Sequence, residues 1–378
     1  MVFHEEKERR MKILITGAKG FLGRNLSATL GQRKDARLYL YDLDTDPKLL
    51  DRYAADCDFV FHLAGVNRPV NEGEYEKNAS FTKELLDALG RHENKAPVLF
   101  SSSIQAALDN AYGQSKKAAE DLIFAWGPQQ GVPVYVYRLT NLFGKWSRPA
   151  YNSVVATFCH SVARGLPITV RDPDAPLTLA YVDDVVAEFL RAMEGGAHTA
   201  GSYCLAEPVH TTTVGKVAEL IASFHTSRES LSIPDMGDPF VKALYATYLS
   251  YLPEDEFGVP LKKNADHRGS FTELVHTADR GQVSVNILNP GIVKGNHWHH
   301  TKNEKFTVVL GQGIIRLRRI EDTQVLEYLV SADQPEAVDI PPGYVHNMEN
   351  LGDTEMVVII WASENFDPAF PDTYAMEV

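Results

Sequence analysis

Cysteine is scarce: 378 residues hold three, Cys57, Cys159 and Cys204, far apart in the sequence. No disulfide framework or cysteine metal motif can be drawn from them, and that usage suits a reducing cytoplasm. Long apolar runs are missing too. No stretch of 18 apolar residues occurs, so a membrane span is not expected. The opening Met1–Arg10 is charged and has no apolar h-region after it, which excludes a secretory signal. It reads as a flexible extension, with Met11 an alternative start. Basic charge is short, 37 Lys+Arg against 50 Asp+Glu for a net charge of −13. That leaves no basic stripe for nucleic acid. A phosphorylated small molecule needs only a few local cations or a helix N-terminus and stays open as a ligand. Internal repeats and low-complexity tracts are absent.

What remains is an ordinary globular composition, 44% hydrophobic and 23% charged, at a length that suggests two domains. The first half alternates apolar strands with helical stretches: strands at 12–16, 38–41, 59–63, 98–100 and 134–138, helices at 21–30, 72–90 and 115–126. This rhythm implies a parallel sheet covered on both faces. After about residue 145 the pattern loosens into helical pieces at 154–164, 183–193 and 213–224, as a smaller substrate-holding lobe would. From Gly269 onward short β-rich runs at 283–288, 306–310, 314–320, 325–330, 337–340 and 356–361 are punctuated by Gly and Pro turns. They argue for a closed barrel or jelly roll. The expected organisation is an extension over 1–10, an α/β Rossmann-type domain over 11–245, a linker over 246–264 and an all-β domain over 265–378.

Gly17-Ala-Lys19-Gly20-Phe21-Leu22-Gly23 follows the first strand and opens a helix. Glycines there allow a tight turn and close backbone approach to a pyrophosphate, which the helix N-terminus stabilises. Asp42, ending the second strand, is placed to bond ribose hydroxyls and to repel a 2′-phosphate. Tyr112-Gly-Gln-Ser-Lys116 offers a proton donor for ketone reduction. A free phenol titrates near roughly 10, and the Lys one turn later is expected to lower that value. Ser103 ends a serine run after a strand, where its hydroxyl can hold a substrate oxygen.

These segments, with His62-Leu63-Ala64-Gly65, Arg138-Leu-Thr-Asn141 and Tyr181-Val-Asp-Asp-Val185, resemble the extended short-chain dehydrogenase/reductase family over roughly residues 11–245. The resemblance implies a catalytic trio Ser103, Tyr112 and Lys116. It also implies cofactor contacts from Gly17, Lys19, Gly20, Phe21, Leu22, Gly23, Asp42, Leu63, Ala64, Tyr112 and Lys116, and a sugar-nucleotide contact from Asn141. Lys145 stands where that family usually continues with Pro, either as a cation near a diphosphate or as a solvated side chain.

In the second half, Gly291-x5-His297-x-His299-x4-Glu304, then Pro341-x-Gly343-x2-His346, sets three imidazoles and a carboxylate at metal-ligand spacing. His297 and His299, two apart on one strand, point the same way. His300 points outward. The donor set suits Zn²⁺, and also Fe²⁺, Mn²⁺ or Ni²⁺. Both motifs resemble those of the cupin barrels, except that Pro335 replaces the Gly usual before the second.

Asp266-His-Arg268-Gly-Ser-Phe271-Thr-Glu273 resembles the entry segment of nucleotide-sugar 3,5-epimerases. By that resemblance Arg268 would bind diphosphate and Glu273 would sit near the nucleotide or sugar. A surface salt bridge is the alternative for Arg268. In those epimerases a His at the place of His297 is the base. Here a ligand role for His297 leaves the base unassigned and Lys294 a candidate to stabilise an enolate or to move a proton.

Over its full length the chain resembles the bifunctional nucleotide-sugar epimerase–reductases of capsular polysaccharide synthesis. That implies C3 epimerisation of a UDP-4-keto-2-acetamido-2,6-dideoxy-L-hexose in the barrel, then C4 reduction to UDP-2-acetamido-2,6-dideoxy-β-L-talose, a precursor of UDP-N-acetyl-L-fucosamine. It also implies NADPH, against which Asp42 argues for NADH, with Lys19 or Arg24 as partial compensation. A divalent metal, zinc first, and a homodimer or dimer of dimers complete the expectation. The rival reading is a reductase with a purely structural, dimerising barrel.

Overall fold

The computed structural model describes residues 10–378, so the expected extension lies outside the described residues except for Arg10. Two compact units result, one from the described part of Met1–Ala222 with Ala243–Leu252, the other from Ser223–Lys242 with Pro253–Val378.

The first unit opens with β1 (Met11–Thr16), α1 (Phe21–Leu30), β2 (Ala36–Tyr41), α2 (Lys48–Ala54) and β3 (Phe59–His62). Next come α3 (Glu76–Arg91), β4 (Val98–Ser103), α4 (Ala111–Gln130) and β5 (Val134–Leu139). Then follow β6 (Asn141–Phe143), α5 (Val154–Val162), β7 (Pro176–Tyr181), α6 (Val182–Met193), β8 (Thr199–Ala200), β9 (Tyr203–Cys204) and β10 (Val209–Thr213). The helices α7 (Val214–Glu229) and α8 (Pro239–Leu249) come last, and residues 223–229 of the one and 239–242 of the other are grouped with the second unit.

The main sheet runs β2-β1-β3-β4-β5-β9-β8, parallel from β2 to β9, and β10-β7-β6 form a separate small sheet. Ile13, Leu14 and Ile15 of β1 are fully buried. Each is worth about 1.5–3 kcal/mol of apolar transfer, as expected of a strand covered on both faces. The chain leaves β1 for β2 on one side and returns through the short α2 to β3 on the other. The crevice beyond Thr16 and His62 is therefore the point where strand order reverses, the usual ligand position in such sheets. Helix α4 begins a turn before the expected 115, because Asn110 Oδ1 accepts from Gly113 N (2.8 Å) and caps it. It ends at Gly131, which takes the left-handed conformation (φ 67°).

The second unit is all-β: β11 (Lys263–Asp266), β12 (Gly269–His276), β13 (Gln282–Leu288), β14 (Val293–Trp298), β15 (Glu304–Leu310), β16 (Gln312–Arg319), β17 (Val325–Ser331), β18 (Ala337–Ile340), β19 (Tyr344–Asn350), β20 (Met356–Ala362) and β21 (Tyr374–Ala375). Two antiparallel sheets form, β11-β12-β13-β20-β15-β18 and β17-β16-β19-β14-β21. A core of Leu288, Phe306, Val358 and Ile360 from the first sheet meets Ile315, Leu317 and Met348 from the second. Strands β12 and β19 were not among the expected β-rich runs. Their Ser, Thr, Glu, His and Asn residues hide the apolar alternation, and those polar residues build the site described below.

The linker expected over 246–264 is corrected in two respects. Helix α8 already occupies its first four residues, 246–249, and residues 223–242 group with the second unit. The physical reason for the second is backbone pairing: His276 N donates to Leu231 O (3.0 Å) and Ile233 N to His276 O (2.8 Å). Among the described residues no helix is long and apolar enough to cross a membrane.

Candidate functional site

In the first unit the glycine loop is packed so tightly that side chains are excluded. A Cβ on Gly17 (φ +69°) would lie 2.7 Å from Ala64 N, and one on Gly23 would lie 2.1 Å from Gly17 O. The N-cap of α1 is Gly20, with no side-chain cap and no acid in the first turn. Its open N–H groups and dipole therefore face a cleft of ≈ 780 Å³. That cradle fits a dinucleotide pyrophosphate.

The cleft gathers Gly17, Lys19, Gly20, Phe21, Leu22, Gly23, Leu63, Ser103, Tyr112, Lys116 and Asn141, as anticipated, together with Trp146, Arg148 and Tyr151, which were not. Ala64 lies behind Gly17 and not on the wall. Asp42 is likewise off the wall, with Oδ2 accepting from Lys19 N (2.7 Å) and Oδ1 from Leu43 N (2.8 Å). It fastens the glycine loop and holds a carboxylate beside it. Lys19 is paired with Asp44, and Arg24 lies over the Trp146 ring at 5.2 Å. Lys145 is ion-paired with Asp183. Asn141 Nδ2 donates to Thr178 O (3.4 Å) and also borders an adjoining cavity of ≈ 520 Å³.

The expected lowering of the Tyr112 phenol by Lys116 is corrected. Burial pushes Tyr112 up to about 12, and hydrogen bonding to Ser103 only partly opposes it. Lys116 is itself buried, with Nζ donating to Ser101 O (2.9 Å) above the Phe100 ring. Burial pulls it down to about 8, with Glu120 pushing the other way. Desolvation is thus the largest influence at both groups.

The sequence reading missed Glu120, although its place one turn beyond Lys116 is a usable signal. This fully buried carboxylate accepts from Ser102 Oγ (2.6 Å), Arg138 Nε (2.9 Å) and Nη2 (2.7 Å), and Tyr203 OH (3.1 Å). His62, fully buried between Thr16 Oγ1 and Thr82 Oγ1 (both 2.8 Å), is held down to about 3 by burial and by Lys116. It acts as a neutral strut.

In the second unit His297, His299, Glu304 and His346 converge, with their ligand atoms within 4.8 Å of one another. A bulge at Asn296 (φ 60°), between pairs Gly295↔Asn347 and His297↔His346, turns His297 toward His346; the ring centroids are 4.5 Å apart. His299 lies one residue past β14. Its Nδ1 donates to Asp372 O (2.5 Å), which leaves Nε2 facing Glu304 Oε2 at 3.4 Å.

His346 Nε2 is buried and 3.2 Å from Glu304 Oε2, yet no hydrogen bond of acceptable angle reaches it. An orphaned, inward imidazole nitrogen among three other donors fits a divalent metal. Burial first, then the neighbouring His346, holds His297 down to about 4, so it stands deprotonated for ligation. Burial would raise Glu304, but the hydrogen bond with His299 and the charges of the His346 and His299 imidazoles hold it at about 2. His300 is exposed, as the alternation required.

The sequence reading also missed the C-terminal support. The Asp372 carboxylate accepts from the backbone N–H of His300, Thr301 and Lys302 (each 2.9 Å), and β21 pairs with β14 at His297↔Ala375.

Lys294 is half-buried, its Nζ donating to Asn286 Oδ1 (2.8 Å) and Ile287 O (2.9 Å). Arg268 is paired with Asp266 (2.7 Å) at the β11–β12 turn, and Glu273 Oε1 lies 2.6 Å from His276 Nδ1.

Residues 13–203 match the NAD dependent epimerase/dehydratase family, and residues 264–374 match the polysaccharide biosynthesis C-terminal domain. The UDP-2-acetamido-2,6-beta-L-arabino-hexul-4-ose reductase of Pseudomonas aeruginosa is 43% identical over 97% of this chain and 99% of its own length. The spore coat polysaccharide biosynthesis protein SpsL of Bacillus subtilis is 27% identical over 30% of this chain and 81% of its own. The crystal structure of capsular polysaccharide assembling protein CapF from Staphylococcus aureus is 49% identical. It superposes with a TM-score of 0.91 over 97% of this chain and 100% of that one.

Proposed function

The chain belongs to the NAD dependent epimerase/dehydratase family and carries the polysaccharide biosynthesis C-terminal domain, and from that premise we propose a two-site UDP-sugar enzyme of capsular polysaccharide synthesis. In this reading the second unit, a cupin barrel, epimerises C3 of a UDP-4-keto-2-acetamido-2,6-dideoxy-L-hexose. The first unit then reduces the C4 ketone to give UDP-2-acetamido-2,6-dideoxy-β-L-talose. The order follows from the chemistry, since the C4 carbonyl acidifies the C3 proton and its reduction locks the new configuration.

The observation that carries the reading is that one chain holds the Ser103–Tyr112–Lys116 cleft beside a pyrophosphate cradle and, separately, a four-donor metal cluster. A full-length relative named as a 4-ulose reductase supports it.

In the first site Ser103 holds the ketone oxygen and Tyr112, protonated at any physiological pH, gives it a proton. Lys116 contributes its positive charge, held in place by Ser101 O, while the Glu120 carboxylate favours its charged form. When bound, the nicotinamide supplies the hydride to C4. In the second site Lys294 stabilises the enolate oxygen or returns a proton. When bound, the metal supplies a Lewis acid.

Because the Lys116 charge is lost as pH rises through about 8, kcat/KM for ketone reduction should fall above about pH 8. The Glu120→Gln variant should lose it at lower pH, since the carboxylate is what raises Lys116. A flat profile from pH 7 to 10 would refute this role.

We take both coenzymes to be used, with Asp42 opposing the 2′-phosphate of NADPH. Asp42→Ala should raise the NADPH/NADH ratio of kcat/KM about tenfold, equivalent to about 1.4 kcal/mol. An unchanged ratio would show that Asp42 only fastens the loop.

The reading as a whole is tested in deuterated water. The protein with the 4-keto sugar nucleotide and no coenzyme should place deuterium at C3, and coenzyme should then convert that sugar to the reduced product.

A further inference from the structure

We propose that His276, oriented by Glu273, is the base that removes the C3 proton; this rests on the epimerase reading of the second unit and fills the role that a metal-ligating His297 leaves vacant. Residues three apart on a flat strand face opposite ways. Here β12 bulges between Glu273 and Val275, so Glu273 pairs with Ser284 and His276 with Gln282, both on the same face. That face looks into the space between the sheets. Gln282, Ser284 and Asn286 of β13 are all buried there, opposite the core residues Ala362, Ile360 and Val358 of β20.

These three polar side chains on the inner face are hydrogen-bonded, Gln282 to Ser284 Oγ and Phe366 N, and Asn286 to Lys294 Nζ, which offsets the cost of burying them. The row continues to the metal cluster, since Ala362, beside Gln282, is also paired with Glu304. Three strand spacings separate β12 from β15, roughly 14 Å along the sheet and less across its curve. Lys294, on β14 of the other sheet, reaches Ser270 O and Asn286 Oδ1, toward the opposite end of β12 and β13 from His276.

The dyad has the form a base needs. His276 Nδ1 is 2.6 Å from Glu273 Oε1, which fixes the Nδ1–H tautomer and leaves Nε2 as the basic nitrogen. The imidazole is about a quarter exposed (23%) and therefore reachable by a ligand. In the reaction Nε2 takes the C3 proton, the C3–H electron pair forms the C3=C4 bond, and the carbonyl π pair moves onto the C4 oxygen. A water molecule on the opposite face gives a proton to C3 and restores the ketone with inverted configuration, and the hydroxide so formed is neutralised by the proton that leaves His276. Glu273 touches no reacting atom and is a positioning residue.

The test is deuterium incorporation at C3 of the UDP-4-keto sugar, without coenzyme, in wild type, His276→Asn and Glu273→Gln. Bound metal and coenzyme-dependent reduction are measured on the same samples. Asparagine keeps a donor for Glu273, so H276N should retain its metal while exchange falls at least 100-fold, and its reductase activity should be unchanged when assayed on sugar already epimerised by the wild-type protein. E273Q should lower kcat for exchange about tenfold with KM unchanged, whereas a nucleotide-binding Glu273 would raise KM. Exchange that persists in H276N, or a KM effect alone in E273Q, overturns the assignment. A wild-type protein that exchanges no C3 proton overturns the epimerase reading and this assignment with it.

Discussion

Replacing Tyr112 by phenylalanine will lower ketone reduction about 10³-fold, equivalent to about 4 kcal/mol in the barrier, and leave deuterium uptake at C3 untouched. The size follows from the environment of the phenol. Burial pushes Tyr112 up to about 12, so it is a protonated phenol beside Ser103, and its loss removes that donor from the ketone oxygen. Phenylalanine keeps the ring against Tyr75, whose centroid is 5.8 Å away, so the cavity survives and the loss belongs to the hydroxyl. Independence from the C3 chemistry follows because the metal cluster belongs to a separate unit. Measuring reduction and exchange on one sample decides the matter. A Y112F protein with near-normal reduction would remove Tyr112 as donor, and one that also lost exchange would show that the two sites are not independent.

The second large effect concerns the metal. Glu304→Ala should abolish metal retention, and Asp372→Ala should weaken it about 10–100-fold, the usual cost of losing support behind a ligand. Asp372 binds no metal itself in this reading. Its carbonyl fixes the tautomer of His299, and its carboxylate collects the three N–H groups that follow that ligand.

Loss of the carboxylate frees the turn at 300–302, and truncation after Pro371 removes the carbonyl as well, so the truncated chain should bind metal more weakly still. Competition with a chelator measures each affinity. Thermal unfolding gives an independent readout, because metal at 100 times its Kd stabilises the folded unit by about 2.7 kcal/mol. An E304A protein that keeps its metal would dismiss the cluster. A D372A protein with wild-type affinity would reduce the C-terminal segment to a bystander.

Much of this was legible in the sequence because it is local. The Gly17–Gly23 turn, the Tyr112–Lys116 helix spacing and the strand of His297 need only short-range geometry, and the cleft and the cluster assemble as those spacings imply. The α/β and all-β character of the two units followed from periodicity for the same reason: a strand buried on both faces reads as a continuous apolar run, and one buried on a single face as an alternation.

What the tertiary structure alone decided depends on groups distant in sequence. The ionisation of Tyr112 and Lys116 is set by burial, and no spacing carries that quantity. Asp372 reaches His299 across 73 positions, and Glu120 is joined by Arg138 and Tyr203 from other elements. His276 and Glu273 share a face only because a bulge breaks the two-residue period, and that break is fixed by the register of β12 on β13. Local patterning chose which side chains were available. Burial and register, which sum over the whole fold, decided which of them meet and in what charge state.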